Sequence, residues 1–303
     1  MAEGPFSHLA QTLRGAAPAI EPPTPANVSL LPPVFQFSQN SLQDYADCAR
    51  RFQLRYVLGQ RWPAAVSEPI GEYEEHTERG AHFHTMVRRY YLGLLDDPAP
   101  PEDAVLRQWW QAFIETPPEG LPESIRLPEM EFSVPLAGQR LLARFDLLTI
   151  DPGERIVIVD WKTTQHRTAR HILERRLQTL VYRYVATKAA GHLFGGTIAP
   201  EQVSMVYWFA IDPLNTEVFT YSEYEHEQAR QELNGIIREI EQRGQAEPTS
   251  PWPLTEDEAR CRFCEYRSLC RRDVPPGSVG ESLIEGDSGG FDFDLDEIDE
   301  IAF

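Results

Sequence analysis

The chain has 303 residues, 42% of them hydrophobic and 11% aromatic, enough to bury the core of one large domain or two small ones. Its formal net charge of −19 excludes a uniformly basic surface, and no run of about 18 apolar residues offers a membrane-spanning helix. Residues 1–35 are rich in Pro and Ala and lack a basic stretch followed by an apolar core, so they read as a disordered leader, not a signal peptide. A cytoplasmic location is the expectation, and there stable disulfides are rare.

Helical spacing of Leu42, Tyr45, Ala46, Ala49, Phe52, Leu54 and Tyr56 predicts a first helix, with Ser41 as its N-cap and its end near Gly59. It carries Cys48. A second helix is expected over 77–95, containing RGAHFHTMVRRYYLGLL, and a third over 102–115. Strands follow at 129–136, 140–150 and 154–162, joined by turns at Ala137-Gly138-Gln139 and Asp151-Pro152-Gly153-Glu154. The run Ile156-Val157-Ile158-Val159 is apolar on both faces, which places that strand centrally in a covered sheet. Helix resumes over 169–190. A strand pair is expected at 202–211 and 216–222, and a helix at 223–242. This order predicts an α/β fold.

Asp160-Trp161-Lys162 ends the apolar strand. Alternation puts Asp160 and Lys162 on one face and Trp161 on the other. A strand-end salt bridge would account for the pair alone. Asp146, however, interrupts the preceding strand, and antiparallel pairing brings it near Asp160. Two close carboxylates repel unless a cation lies between them, and a divalent ion supplies one.

Three of the four cysteines fall in CRFCEYRSLC, as Cys261, Cys264 and Cys270, with Cys48 far upstream. Four thiolates suit a structural zinc ion or a [4Fe–4S] cluster. A zinc ribbon normally pairs two C-x2-C knuckles, and Cys48 stands alone.

Asp146 followed by Asp160-x-Lys162 resembles the PD-(D/E)XK nuclease superfamily. GAHFH (80–84) is similar to the Gly-x-x-x-His motif of its RecB-like branch, and Gln178-x-x-x-Tyr182 to that branch's downstream helix motif. FSQNSLQDYADCARRFQLRYVLG resembles its N-terminal helix, with the cysteine in place. The layout is similar to AddB-type nuclease domains and to CRISPR-adaptation iron–sulfur exonucleases. Ala143 stands where the family often has Gly three residues before the first Asp.

The resemblance implies a restriction-endonuclease-like core, a mixed central sheet flanked by helices, over residues 36–273. It implies that Asp146, Asp160, His84 and the Trp161 carbonyl bind Mg²⁺ or Mn²⁺. Lys162 would orient the attacking water, and Gln178 and Tyr182 would position Lys162 or the strand. His82 falls on another helical face and reads as structural. Cys48, Cys261, Cys264 and Cys270 would hold a [4Fe–4S] cluster, with zinc as the alternative, in a cysteine-rich C-terminal segment that ties the two ends of the fold.

Such a protein would cut single-stranded or frayed DNA, in repair, recombination or CRISPR-type defence. It contains no Walker A sequence, so a helicase or recombination partner would be a separate chain. The alternatives are a non-catalytic DNA-binding or scaffold subunit and a zinc-stabilised hydrolase. Arg50, Arg51, Arg55, Arg88, Arg89, Arg167, Arg170, Arg175, Arg176, Arg260, Arg262, Arg267, Arg271 and Arg272 cluster beside the motifs, which predicts a local basic groove on an acidic body. Tyr45, Trp161, Phe263 and Tyr266 are candidates to stack on bases, with core packing as the competing role. Residues 274–303 hold nine acids and no Lys or Arg, and read as a disordered tail able to dock on a partner protein or compete with DNA.

Overall fold

The computed structural model describes residues 31–32, 35–60, 70–94, 101–246, 250–262, 264–272 and 274–275. Most of the leader, Phe263 and the acidic tail beyond Pro275 lie outside the described residues. No helix among those described is long and apolar enough to cross a membrane.

Helix α1 (Gln39–Asp47) starts at Ser38, not Ser41: Ser38 accepts from the Ser41 amide, and the Ser41 hydroxyl caps the Ser38 amide in return. The single helix expected to Gly59 is interrupted at Cys48, whose backbone is extended (φ −162°, ψ 109°). Helix α2 (Ala49–Phe52) then runs into a π-helical turn, Gln53–Val57. Helix α3 (Ile70–Tyr91) begins seven residues before its expected start. Helix α4 (Ala104–Glu115) is capped by Asp103 and buries Leu106, Trp109, Trp110 and Phe113, one face of a 3.6-residue period.

Strands β1 (Ile125–Leu136), β2 (Gln139–Asp151) and β3 (Arg155–Lys162) form an antiparallel meander. Ala137 and Gly138 both have positive φ, so a two-residue turn joins β1 to β2, as the right-handed strand twist favours. The expected helix over 169–190 is three pieces: α5 (Arg170–Arg175), α6 (Leu177–Ala189), which starts after an extended Arg176, and α7 (Gly191–Phe194). Strand β4 (Val203–Phe209) returns parallel to β3, and β5 (Glu217–Thr220) pairs antiparallel with β4. Helix α8 (Glu223–Ala246) and the short α9 (Ala259–Arg262) complete the order.

The result is a mixed five-stranded sheet, β1-β2-β3-β4-β5, flanked by helices. One face packs on α1, α6 and α8 through Phe37, Ile158, Val181, Tyr207 and Leu233. The other packs on α3 and α4 through Phe83, Trp109, Val159, Trp161 and Trp208, with Phe83 stacked on Trp208 at 5.9 Å. β3 is the central strand, and its apolar run is buried on both faces.

The sheet changes character at one level. In β1, Ile125 and Leu127 share a core with Met130, Phe132 and Val134; in β2, Phe145 shares it with Leu148, while Leu147 faces the other layer. Strict alternation would keep one parity. The shift occurs at Glu129, which has φ +52°, a left-handed conformation costing about 1–2 kcal/mol for a residue with a Cβ. Glu129 falls opposite Asp146, between the pairs Pro128↔Leu147 and Met130↔Phe145. Strain of this kind concentrates at functional sites.

Candidate active site

The β2–β3 ladder ends at Leu147↔Val159. One step further, the Asp146 carboxylate replaces a ladder carbonyl: its Oδ2 accepts from the Trp161 amide at 2.8 Å. Continuing the register puts Asp160 beside Asp146, and Asp160 pairs with Tyr207 on β4. Glu129, Asp146, Asp160 and Tyr207 therefore form one row across four strands.

Helix α3 lies over this row. His84 Nδ1 is 3.4 Å from Asp146 Oδ1; it is buried and has no hydrogen-bond partner among the described residues. Donor atoms of His84, Glu129 and Asp146 all lie within 4.8 Å of one another. Burial alone would lower the His84 pKa, yet the charge of Asp146, with help from Asp160 and Glu129, raises it to about 9. Burial, then the Asp146 charge, pushes Glu129 up to about 7. His84 and Glu129 thus favour their protonated forms, and a divalent cation would displace those protons. One imidazole and two carboxylates fit such an ion.

Lys162 and Asp160 share a face, as alternation requires. Lys162 Nζ lies 3.0 Å from Asp160 Oδ2 and donates to Gln178 Oε1 at 3.1 Å. Gln178 Nε2 donates to Asp160 Oδ1 at 2.8 Å, which closes the triangle. Gln178 reaches it because α6 restarts at Leu177 and sets the residue in its first turn. Tyr207 OH adds a bond to Gln178 at 3.4 Å, and burial followed by the Asp160 charge raises its pKa. Tyr182 is buried one turn further along, where it accepts from Gln39 at 3.3 Å.

The four cysteines are free thiols, and all four line one cavity of about 20 Å³ with Arg51, Arg260, Arg267 and Arg272. Burial pushes the Cys264 thiol up to about 11 and raises Cys270 as well.

A profile of the PD-(D/E)XK nuclease superfamily matches residues 36–271. The chain belongs to the PD-(D/E)XK nuclease superfamily. Among solved structures, this nuclease-superfamily chain is similar to a provisionally named exonuclease from Eubacterium rectale, at 13% identity and TM-score 0.46, over 81% of this chain and 92% of that one. It is also similar to SSO0001, at 12% identity and TM-score 0.36, over 78% and 85% of the two chains. No curated protein matches it.

The structure brings His84 to Asp146, and Asp160 to Lys162 and Gln178. It adds Glu129, which the sequence reading missed. The expected stacking aromatics are core residues: Tyr45, Trp161 and Tyr266 are buried, and the Tyr45 and Tyr266 hydroxyls are spent on Glu239 and the Gln60 carbonyl. Five of the arginines expected to form a basic groove are paired within the fold. Arg51 pairs with Asp44 and Asp47, Arg55 with Asp44 and Glu265, Arg167 and Arg170 with Glu217, and Arg260 with Asp47.

Proposed function

We propose that this protein is a metal-dependent deoxyribonuclease that processes single-stranded or frayed DNA ends, stabilised by a [4Fe–4S] cluster. The observation that carries the reading is the close set of His84, Glu129 and Asp146 beside the Asp160–Lys162–Gln178 triangle, in the stretch that matches a nuclease family. His84, Glu129 and Asp146 would hold Mg²⁺ or Mn²⁺, with Asp160 and the Trp161 carbonyl as further donors. The bound ion would activate water and offset charge on the leaving oxygen. Lys162, fixed by Asp160 and Gln178, places its ammonium where negative charge develops on phosphorus, and needs no reorganisation during the reaction. Phe83, Trp161 and Trp208 form an apolar wall behind the acids that limits water on that side.

Four free thiols around one cavity support the cluster. Zinc would hold sulfurs about 3.8 Å apart, given bonds of about 2.3 Å. Among the described residues, no three of these sulfurs come within 4.8 Å of one another, wider than a set of zinc ligands. The role in repair, recombination or defence, and a helicase partner, belong to the same proposal.

Lys162→Ala is the direct test. Mn²⁺- or Mg²⁺-dependent cleavage of end-labelled DNA should fall by at least about a hundredfold with the melting curve unchanged. An undiminished cleavage rate in a folded Lys162→Ala protein would reject the active-site assignment.

A further inference from the structure

Several arginines beside the motifs are committed to carboxylates, as described above. Arg88 is not. It is exposed on α3, and its side chain makes no hydrogen bond or ion pair among the described residues. On a chain with a net charge of −19, an uncommitted guanidinium next to clustered acids calls for an anionic ligand.

Its position says which one. Gly80, His84 and Arg88 are four residues apart and share one face of α3. Gly80 abuts the residue after Lys162: a Cβ there would lie 3.0 Å from Thr163 Oγ1. His84 faces Asp146. Helix α3 packs against β1, the strand that carries Glu129. Each step along this stripe is about 6 Å, comparable to the step between neighbouring phosphates of an extended strand.

We infer that Arg88 grips the backbone phosphate next to the scissile one, on the β1 side of the site, and so sets the register of the strand over the acids. The inference rests on the nuclease reading above. A guanidinium suits the task because its planar fork binds phosphate bidentately. Such a contact positions the backbone and reads no base.

The test is the salt dependence of kcat/KM on end-labelled single-stranded DNA with Mg²⁺. The proteins are the wild type, Arg88→Gln, Arg88→Lys and Arg238→Gln, the last an exposed arginine on α8. One phosphate contact on a single strand contributes a log–log slope of about 0.7. Between about 50 and 200 mM salt, the wild type should therefore lose about 2.6-fold more activity than Arg88→Gln. At low salt Arg88→Gln should be down about tenfold, and Arg88→Lys should recover part of that loss. Arg238→Gln should keep the wild-type slope. An Arg88→Gln slope equal to the wild type's overturns the inference, and so does an equal loss of slope in Arg238→Gln, because generic charge would then explain both. A wild type inert on DNA would instead sink the nuclease reading itself.

Discussion

Gly80→Ala separates the packing of α3 from the chemistry it serves. In the helix interior, alanine gains about 1 kcal/mol over glycine. The added methyl meets Thr163 Oγ1 at 3.0 Å, so the neighbour must yield by a few tenths of an ångström. Thr163 is only half-buried, which holds the overpacking cost to about 1 kcal/mol, the low end of the usual range. Stability should therefore be nearly unchanged, with the melting temperature within about 3 °C of the wild type. The displacement has one direction to go. His76, one turn earlier on α3, also lies near the Thr163 backbone, so α3 approaches the residue that follows Lys162 at both positions. A misplacement of about 1 Å costs about a hundredfold in rate, so a few tenths should cost about fivefold in kcat. Cleavage of end-labelled DNA would be measured beside thermal melts, with Gly80→Ala/Thr163→Ala as the relief variant. Full activity in Gly80→Ala, or a double variant no better than the single, would refute the reasoning.

Glu129→Gln keeps the size of the side chain and removes its charge. The metal concentration for half-maximal cleavage should rise by at least about tenfold, and an unchanged metal dependence would remove Glu129 from the ligand set. Cys48→Ala, purified anaerobically, should lose the visible absorbance and the iron of the wild type and melt at lower temperature, because metal binding is folding free energy. Retention of full iron and sulfide in that variant would exclude Cys48 as a ligand.

The sheet and its central strand were legible in the sequence because Ile156–Val159 is apolar on both faces, a pattern set by burial alone. Asp160 and Lys162 on one face followed from strand alternation. Glu129 was missed by a single position of register. Taking Ala137-Gly138-Gln139 as the turn puts Met130 opposite Asp146, whereas the two-residue turn Ala137-Gly138 puts Glu129 there. The left-handed backbone of Glu129 carries no sequence signal at all. Helix breaks at Cys48 and Arg176 were also invisible, because neither residue is a helix breaker. Tertiary contacts impose both breaks, one presenting a thiol and the other aiming Gln178 at Lys162. Counting arginines overstated the basic groove, because it ignores the acids that fold against five of them.

Those ion pairs explain why the cysteine segment sits where it does. Phe52 stacks on Trp252 at 5.9 Å, Gln53 bridges the Ser250 carbonyl and the Trp252 amide, and Tyr266 bonds the Gln60 carbonyl. Asp47 joins Arg51 to Arg260, and Arg55 joins Asp44 to Glu265. The first helices and the last segment are therefore docked by protein contacts alone. Docking buries Cys261 and partly covers the other thiols, and burial disfavours the thiolate that any metal needs, as the raised pKa of Cys264 shows. Without a cation, the cavity resists ionising Cys264 and Cys270. A bound metal core would reverse that preference and convert these thiols into bonds across the junction. Arg267 and Arg272, which line the cavity, would then offset part of the charge of the thiolates. On this argument, the cysteine segment and the Arg88 side of α3 serve different ends: one closes the fold, the other faces the strand.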